Sequence, residues 1–323
     1  MARYKSCLAD KHLVSTVGMT RDEWLSHRRK SIGGSDAAGI VGLSKWSSPY
    51  SVWADKTGRM PDKPDSEAMR QGRDLEDYVA RRWMEETGHK VRRLNAMIYN
   101  PSYPHSHADV DRWVVGENAG LECKTTSAMD LRKFDGVEFP EQYYCQCVHY
   151  MAVTGAERWY LAVLVFGRGF YTFTLDRDDV EKEIACLMAS EYAFWEQYVK
   201  PDVPPGMDGS DATTEALETI YRESSGETVE LFGREALLEE YEQLKKSIDA
   251  LEERIQEIAN IIKGDMRESE KAIAGAYTVS WKPQNRAVFD RRRFEADHQD
   301  TDISEYFRIS TARPFKIKKE EQE

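Results

Sequence analysis

Eight apolar residues, Leu237, Tyr241, Leu244, Ile248, Leu251, Ile255, Ile258 and Ile262, follow one another at alternating spacings of four and three without a slip. Side chains so spaced fall on one stripe of an α-helix, which constrains residues 237–262 to a long helix carrying a heptad seam. The period alone leaves open whether the seam meets the chain's own core, a helical hairpin or another subunit. Upstream, PDVPPGMDGSD (201–211) concentrates Pro, Gly and Asp, the composition of a linker or long loop. The expected division is therefore a core domain over 1–200, a connecting segment over 201–232 and a C-terminal part over 233–323. That last part carries the seam helix, a strand at AYTVSWK (276–282) and the basic stretches RRRF (291–294) and RPFKIKK (313–319). Basic residues interleaved with Phe suit contact with nucleic acid, but the acids between the two stretches fit a solvated surface equally well.

The first 200 residues alternate helical and strand periods. Residues 19–31 predict a helix opened by Thr20, with Glu23 three positions later as in a capping box, and closed by Gly33-Gly34. Ser35 or Asp36 then caps a second helix in SDAAGIVGL, which would also offer an anion site. Leu75, Val79 and Trp83 give a helical period across 66–88, ended by Gly88. Strands are expected at VRRLNAMIY (91–99), HADVDRWVV (107–115) and GLECKTT (120–126), with a turn at Gly116 to Gly120 between the last two. A helix over 140–154, strands at RWYLAVLVF (158–166) and GFYTFTL (169–175), and a helix over 178–198 complete a mixed α/β core. Trp46, Trp53, Trp83, Trp159 and Trp195 lie in amphipathic or strand patterns and read as core.

Bulk properties exclude several classes. No apolar run reaches the roughly 18 residues of a membrane span, and the N-terminus lacks the apolar stretch of a secretory signal. A cytoplasmic protein is expected. Five cysteines without framework spacing point to reduced thiols, and Cys145, Cys147 and His149 lack the paired-loop spacing of a zinc site. The net charge of -12 argues against a protein that coats nucleic acid, although a metal-holding carboxylate cluster would contribute to it.

Chemistry concentrates in HADVDRWVVGENAGLECKTTS (107–127). Residues two apart on a strand share a face, so Glu122 and Lys124 project together, and hairpin pairing brings Asp111 beside them. Two carboxylates and an ammonium are what metal-assisted phosphodiester hydrolysis requires. Hard oxygen ligands hold Mg²⁺, the ion acidifies an attacking water, and a lysine orients or deprotonates that water. A solvent-facing hairpin with a cross-strand ion pair has the same spacing. Gln146 and Tyr150 share one face of the following helix, and Glu76 sits on an upstream helix able to lend a third carboxylate.

With RRKSIGGSDAAGIVGLSKW, GRDLEDYVA, ADVDRW, GLECKTTS and QCVHYMAVTG in order, residues 20–195 resemble the YqaJ-type viral recombinases. These are phage nucleases akin to the lambda exonuclease. The resemblance implies a restriction-endonuclease-like PD-(D/E)XK core, a mixed sheet flanked by helices. It implies Mg²⁺, with Mn²⁺ as a substitute, held by Asp111, Glu122, Glu76 and the backbone carbonyl of Cys123. Lys124, Gln146 and Tyr150 would complete the catalytic set. Where the family often writes P-D-G, this chain has A-D-V-D-R, whose two aspartates face alike on a strand: Asp111 is preferred and Asp109 is its reserve. Arg28 and Ser35 would receive a 5′-phosphate, with Arg29 and Lys30 competing for the arginine's role, and Trp113 is a candidate DNA contact. The implied activity is 5′→3′ digestion of double-stranded DNA ends, leaving 3′ single strands for a single-strand annealing recombinase. A ring-shaped homotrimer in a bacterial host, encoded by a phage or prophage, completes the implied picture. A structure- or site-specific endonuclease uses the same metal chemistry, and a non-catalytic assembly protein built on 237–262 is the alternative of another class.

Overall fold

In the computed structural model of the chain, the described residues are 8–62, 65–127, 139–298, 303, 306–308 and 313–317. They form two compact units, Met1–Glu223 and Ser224–Glu323.

Strand β1 (His12–Ser15) precedes α1 (Arg21–Arg29), where Thr20 and Glu23 make the expected capping box. Helix α2 (Gly34–Ile40) is capped by Gly33, not by Ser35 or Asp36. Asp36 instead lies in its first turn and accepts the Gly33 N–H at 2.8 Å. Helix α3 (Pro49–Lys56) and the long α4 (Glu67–Thr87) follow, the latter running from the Ser66 cap to a left-handed Gly88. The Thr20–Glu23 box, the apolar period of α4 and its Gly88 terminus thus act as the sequence suggests, and the cap of α2 does not.

Two expected strands break, and in both cases the chain changes sheets at the break. Residues 91–99 give β2 (Val91–Arg92) and β3 (Ala96–Tyr99), separated by Asn95 at φ 50°, a left-handed conformation that Asn tolerates. Residues 107–115 give β4 (His107–Asp109) and β5 (Arg112–Val114). Strands β1, β3 and β4 make a small antiparallel sheet in the order β1-β3-β4. The larger sheet runs β2-β5-β6-β7-β8, with β6 (Ala119–Thr126), β7 (Arg158–Val165) and β8 (Gly169–Asp176). Only β6 and β7 are parallel in it, and α5 (Glu141–Thr154) is their crossover.

Helices cover both faces of the large sheet. On one face Val79 and Trp83 of α4 pack with Leu121, Tyr160 and Ala162. On the other, Val148 and Met151 of α5 and Ile184 and Met188 of α6 (Arg177–Phe194) pack with Trp113, Trp159, Leu161 and Val163. A strand covered on both sides needs apolar residues at successive positions, which is why β7 is buried from Trp159 to Val163 without alternation. The chain is a mixed α+β protein, as its pattern suggests.

The segment expected as a linker contains structure. Helix α7 (Asp211–Ile220) buries Ala212, Thr213 and Ala216, and the Thr213 hydroxyl donates to Ser48 Oγ at 2.8 Å. With Ile32, Tyr50, Trp53 and Phe194, Ala216 forms a third cluster, so the first unit extends past residue 200 to Glu223. Trp46, read as core, is instead 73% exposed. The second unit holds α8 (Glu235–Met266), a hairpin of β9 (Lys271–Ala274) and β10 (Tyr277–Ser280), and α9 (Arg291–Asp297). Strand β9 was not expected. The stretch RRRF opens α9, while Lys318 and Lys319 of the second basic stretch lie outside the described residues. Among the described residues no helix is long and apolar enough to cross a membrane.

Candidate functional site

Strand β6 places the two central side chains. Its face toward α5 carries Glu122 and Lys124, and the Lys124 ammonium lies 2.6 Å from Glu122 Oε1. Pairing of Arg112 with Leu121 in the β5–β6 ladder sets the preceding residue, Asp111, beside Glu122. Asp111 is not on a strand but in the bend where the chain passes from β4 to β5. There its Oδ2 accepts the backbone N–H of Cys123 at 2.8 Å. Asp109 lies in the other sheet, and its carboxylate accepts the Trp24 Nε1–H at 2.8 Å. The two aspartates therefore do not share a strand face as the sequence suggested, and Asp111 is the one joined to Glu122 and Lys124.

Burial and mutual repulsion load this group with electrostatic tension. Asp111 is held well above the usual carboxylate range, first by burial and then by the Glu122 charge, with Lys124 opposing. Burial also raises Glu122, against the pull of Lys124. Lys124 itself is held above the ordinary lysine value: burial works against its charge, but Glu122 and Asp111 outweigh it. It is an ammonium here, 5.6 Å from the centre of the Tyr143 ring. Glu122 Oε2 is buried with no hydrogen-bond partner. An orphaned carboxylate oxygen beside a second, destabilised carboxylate fits a divalent cation, because an added positive charge relieves both costs. No group of three His, Cys, Asp or Glu side chains stands in a ready ligating arrangement among the described residues. Glu76, the third candidate carboxylate, is bonded to the Arg112 guanidinium. Arg112 also donates to the Asp111 carbonyl at 2.6 Å and to Asp77 at 2.5 Å.

Helix α5 supplies the back wall. Gln146 Nε2 donates to Glu122 Oε1 at 2.7 Å and to the Tyr150 hydroxyl at 2.9 Å, as their shared helix face suggested. The Tyr150 ring in turn packs on Gly34 so closely that a Cβ there would lie 2.6 Å from the ring. Gly34→Ala is therefore expected to push Tyr150 and Gln146 away from Glu122 and to destabilise the fold by about 1–3 kcal/mol, read by chemical denaturation. An unchanged midpoint would show that Tyr150 yields without strain.

Asp111, Glu122, Lys124, Glu76, Gln146 and Tyr150 all line one cleft of about 540 Å³, together with Arg28 and Ser35. Arg28 Nη2 donates to Ser35 Oγ at 2.6 Å, and its guanidinium lies 4.8 Å from the centre of the Trp24 ring. Its competitors are elsewhere: Arg29 pairs with Asp62 at 2.5 Å and Lys30 is exposed outside this cleft. Trp113, expected as a DNA contact, is fully buried with its ring edge on Trp159 and belongs to the core. The Cys123 side chain faces away from Glu122, toward the α4 cluster. Cys145 and Cys147 are buried free thiols, and His149 is bonded to Glu191 and the His107 carbonyl.

Not singled out in the sequence are Trp24, Arg73, Arg93, His107 and Arg112, which line the cleft, and Lys56 behind it. Trp24 sits four positions before Arg28, a helix spacing that was available as a signal. The Lys56 ammonium lies 2.6 Å from Asp36 Oδ2 with its side chain fully buried. Burial opposes ionisation of Asp36, but Lys56 and Arg28 outweigh it and hold its carboxyl at about 2. His107 is pushed down to about 3 by burial and by Lys56, and so is neutral.

A sequence model of the YqaJ-like viral recombinase domain matches residues 23–157. The uncharacterized protein YqaJ of Bacillus subtilis (strain 168) is 39% identical over 293 residues, covering 89% of this chain and 91% of that one. The chain belongs to the YqaJ family. Among solved structures, this YqaJ-family chain is similar to an alkaline exonuclease (LHK-Exo) from Laribacter hongkongensis, at 20% identity and a TM-score of 0.46, covering 56% of this chain and 95% of that one. It is also similar to a phage related exonuclease from Haemophilus somnus 129PT, at 10% identity and a TM-score of 0.41, covering 55% and 99%.

Proposed function

We propose that this YqaJ-family chain is a Mg²⁺-dependent exonuclease that digests double-stranded DNA 5′→3′ and leaves 3′ single strands for recombination. The observation that carries this reading is the Asp111–Glu122–Lys124 group, with Glu122 buried and its two neighbours half-buried, opening into the same cleft as Arg28 and Ser35. Asp111, Glu122 and the Cys123 carbonyl would hold the cation, and Glu76 could join by leaving Arg112. When bound, Mg²⁺ or Mn²⁺ supplies Lewis-acid stabilisation of the phosphorane charge and an acidified water. The chain's own groups do the rest. Lys124, as an ammonium, offers three donors to a phosphate oxygen or to the attacking water. Gln146 and Tyr150 fix the Glu122 carboxylate, and Arg28 offers forked donors to a terminal phosphate.

The family's viral recombinase character supports a place in recombination, with a single-strand annealing protein as partner in a bacterial cytoplasm. A ring-shaped trimer enclosing the duplex is the arrangement that would make digestion processive. The deciding experiment offers linear duplexes with 5′-phosphate or 5′-hydroxyl ends and a closed circle, with Mg²⁺ and with a chelator. Loss of the linear phosphorylated duplex alone, abolished by the chelator, is expected, and Arg28→Ala should narrow the difference between the two ends. A cut circle would mean an endonuclease, and no loss of any DNA would reject nuclease activity.

A further inference from the structure

Helix α8 is 32 residues long and its eight seam residues are all exposed, from 37% at Tyr241, whose ring meets Phe315 edge to face, and at Ile262, to 67% at Ile255. An exposed apolar stripe of this length is costly in water and marks an interaction face. The identity of the seam residues says which kind. With spacings of four and three read as d-to-a and a-to-d steps, Tyr241, Ile248, Ile255 and Ile262 occupy the a positions, and Leu237, Leu244, Leu251 and Ile258 the d positions. β-Branched residues at a combined with leucine at d is the arrangement that favours two parallel strands, because the two layers accept different side-chain directions from the facing helix. Isoleucine throughout would favour three strands; here three of the four a positions are isoleucine, with Tyr241 the exception, and three of the four d positions are leucine, with Ile258 the exception.

The flanking positions agree. In a parallel pair the residue before each a position meets the partner's residue five positions further on. Glu240 then faces Lys245 of the second copy, Ser247 faces Glu252 and Arg254 faces Ala259. One pair attracts, counted twice by symmetry, and no like charges meet. An antiparallel pair would also find an attraction, Lys245 with Glu252, but it would set each isoleucine layer against leucine and discard the separation of the two residue types.

We infer that α8 pairs with α8 of a second copy of this chain as a parallel two-stranded coiled coil. This stands apart from the nuclease reading, since it is argued from residues of the second unit alone. It joins copies in twos whatever the nuclease units do.

Cysteine placed in the seam of the full-length protein tests it. Ile255→Cys and Ile262→Cys, each alone, put two thiols face to face in a parallel in-register pair, whereas Glu253→Cys points outward and, with the wild type, controls for the native thiols. Under mild oxidation both seam variants should form a two-chain species on a non-reducing denaturing gel, at a yield well above that of both controls. A three-stranded coil leaves one thiol in three unmatched and so stops at about two-thirds conversion. A yield beyond that ceiling at both positions supports the inference, and a plateau at it overturns the two-stranded form. Control-level cross-linking overturns it as well, as an antiparallel pair or a seam covered by anything else would give. Two seam positions are used so that one badly packed variant cannot decide the result.

Discussion

Lys124→Ala is expected to slow Mg²⁺-dependent hydrolysis of a linear duplex by about 10²–10⁴-fold, the range of a positioned proton-transfer group. The ammonium is the positive charge the structure places against Glu122, at 2.6 Å, and it also lowers the cost of ionising Asp111. Without it, the buried Glu122 and half-buried Asp111 carboxylates face each other with less compensation, and both are driven further toward the protonated form. The variant should then lose rate and also require more Mg²⁺ for half-maximal rate, because protons and the cation compete for the same oxygens. Lysine's long apolar stem is partly exposed, so the fold should survive the truncation, which a thermal denaturation curve checks. Two outcomes would oppose the reading: an unchanged rate, or a lost rate accompanied by an unfolded chain.

This centre was half legible in the sequence, and the reason is geometric. Glu122 and Lys124 obey the two-residue period of a strand, and Gln146 and Tyr150 the four-residue spacing of a helix, so each pair declares its own face. Which aspartate joins them depends on where the chain leaves one sheet for another. The break at Val110–Asp111 leaves Asp109 to Trp24 and turns Asp111 to the Cys123 N–H, and such a break has no Gly or Pro to announce it. Its counterpart at Asn95 rests on a left-handed residue that a strand pattern hides. Trp113 misled for a related reason. Its neighbour Arg112 reads as a solvent-facing charge, yet it is only 4% exposed and satisfied by Glu76 and Asp77, so β5 is buried on both sides. The helix hidden in the expected linker presents Ala212, Thr213 and Ala216 to the core, small residues that give little apolar signal. The seam of α8 was the clearest feature of all, because a heptad is set by local spacing and needs no knowledge of what packs against it.

Glu191→Ala is expected to destabilise the first unit by about 3–5 kcal/mol near pH 5.5, the cost of leaving one partner of a buried ion pair alone. Glu191 and His149 are both fully buried, with His149 Nδ1 2.7 Å from Glu191 Oε1 and Nε2 2.8 Å from the His107 carbonyl. With Glu191 as a carboxylate, it and the carbonyl only accept, so both ring nitrogens then carry hydrogen and the ring is an imidazolium. Ser106 Oγ donates to the other carboxylate oxygen at 2.7 Å. Burial opposes the His149 charge, but Glu191 and the His107 carbonyl outweigh it and hold the ring above the ordinary histidine value. The sign of the pH dependence follows. A raised folded pKa contributes stability that is complete below the unfolded value of about 6.5 and is lost as pH climbs through the folded one. The cost of Glu191→Ala should therefore shrink at alkaline pH toward that of lost hydrogen bonds, about 1–3 kcal/mol. Urea denaturation of wild type and variant across that range measures the difference, and a cost independent of pH would mean a neutral ring. The pair ties α5 to α6 and to β4 at once, and α5 carries Gln146 and Tyr150. A chain loosened at Glu191 should thus lose Glu122 positioning before it unfolds, with hydrolysis falling at urea concentrations where the wild type still works.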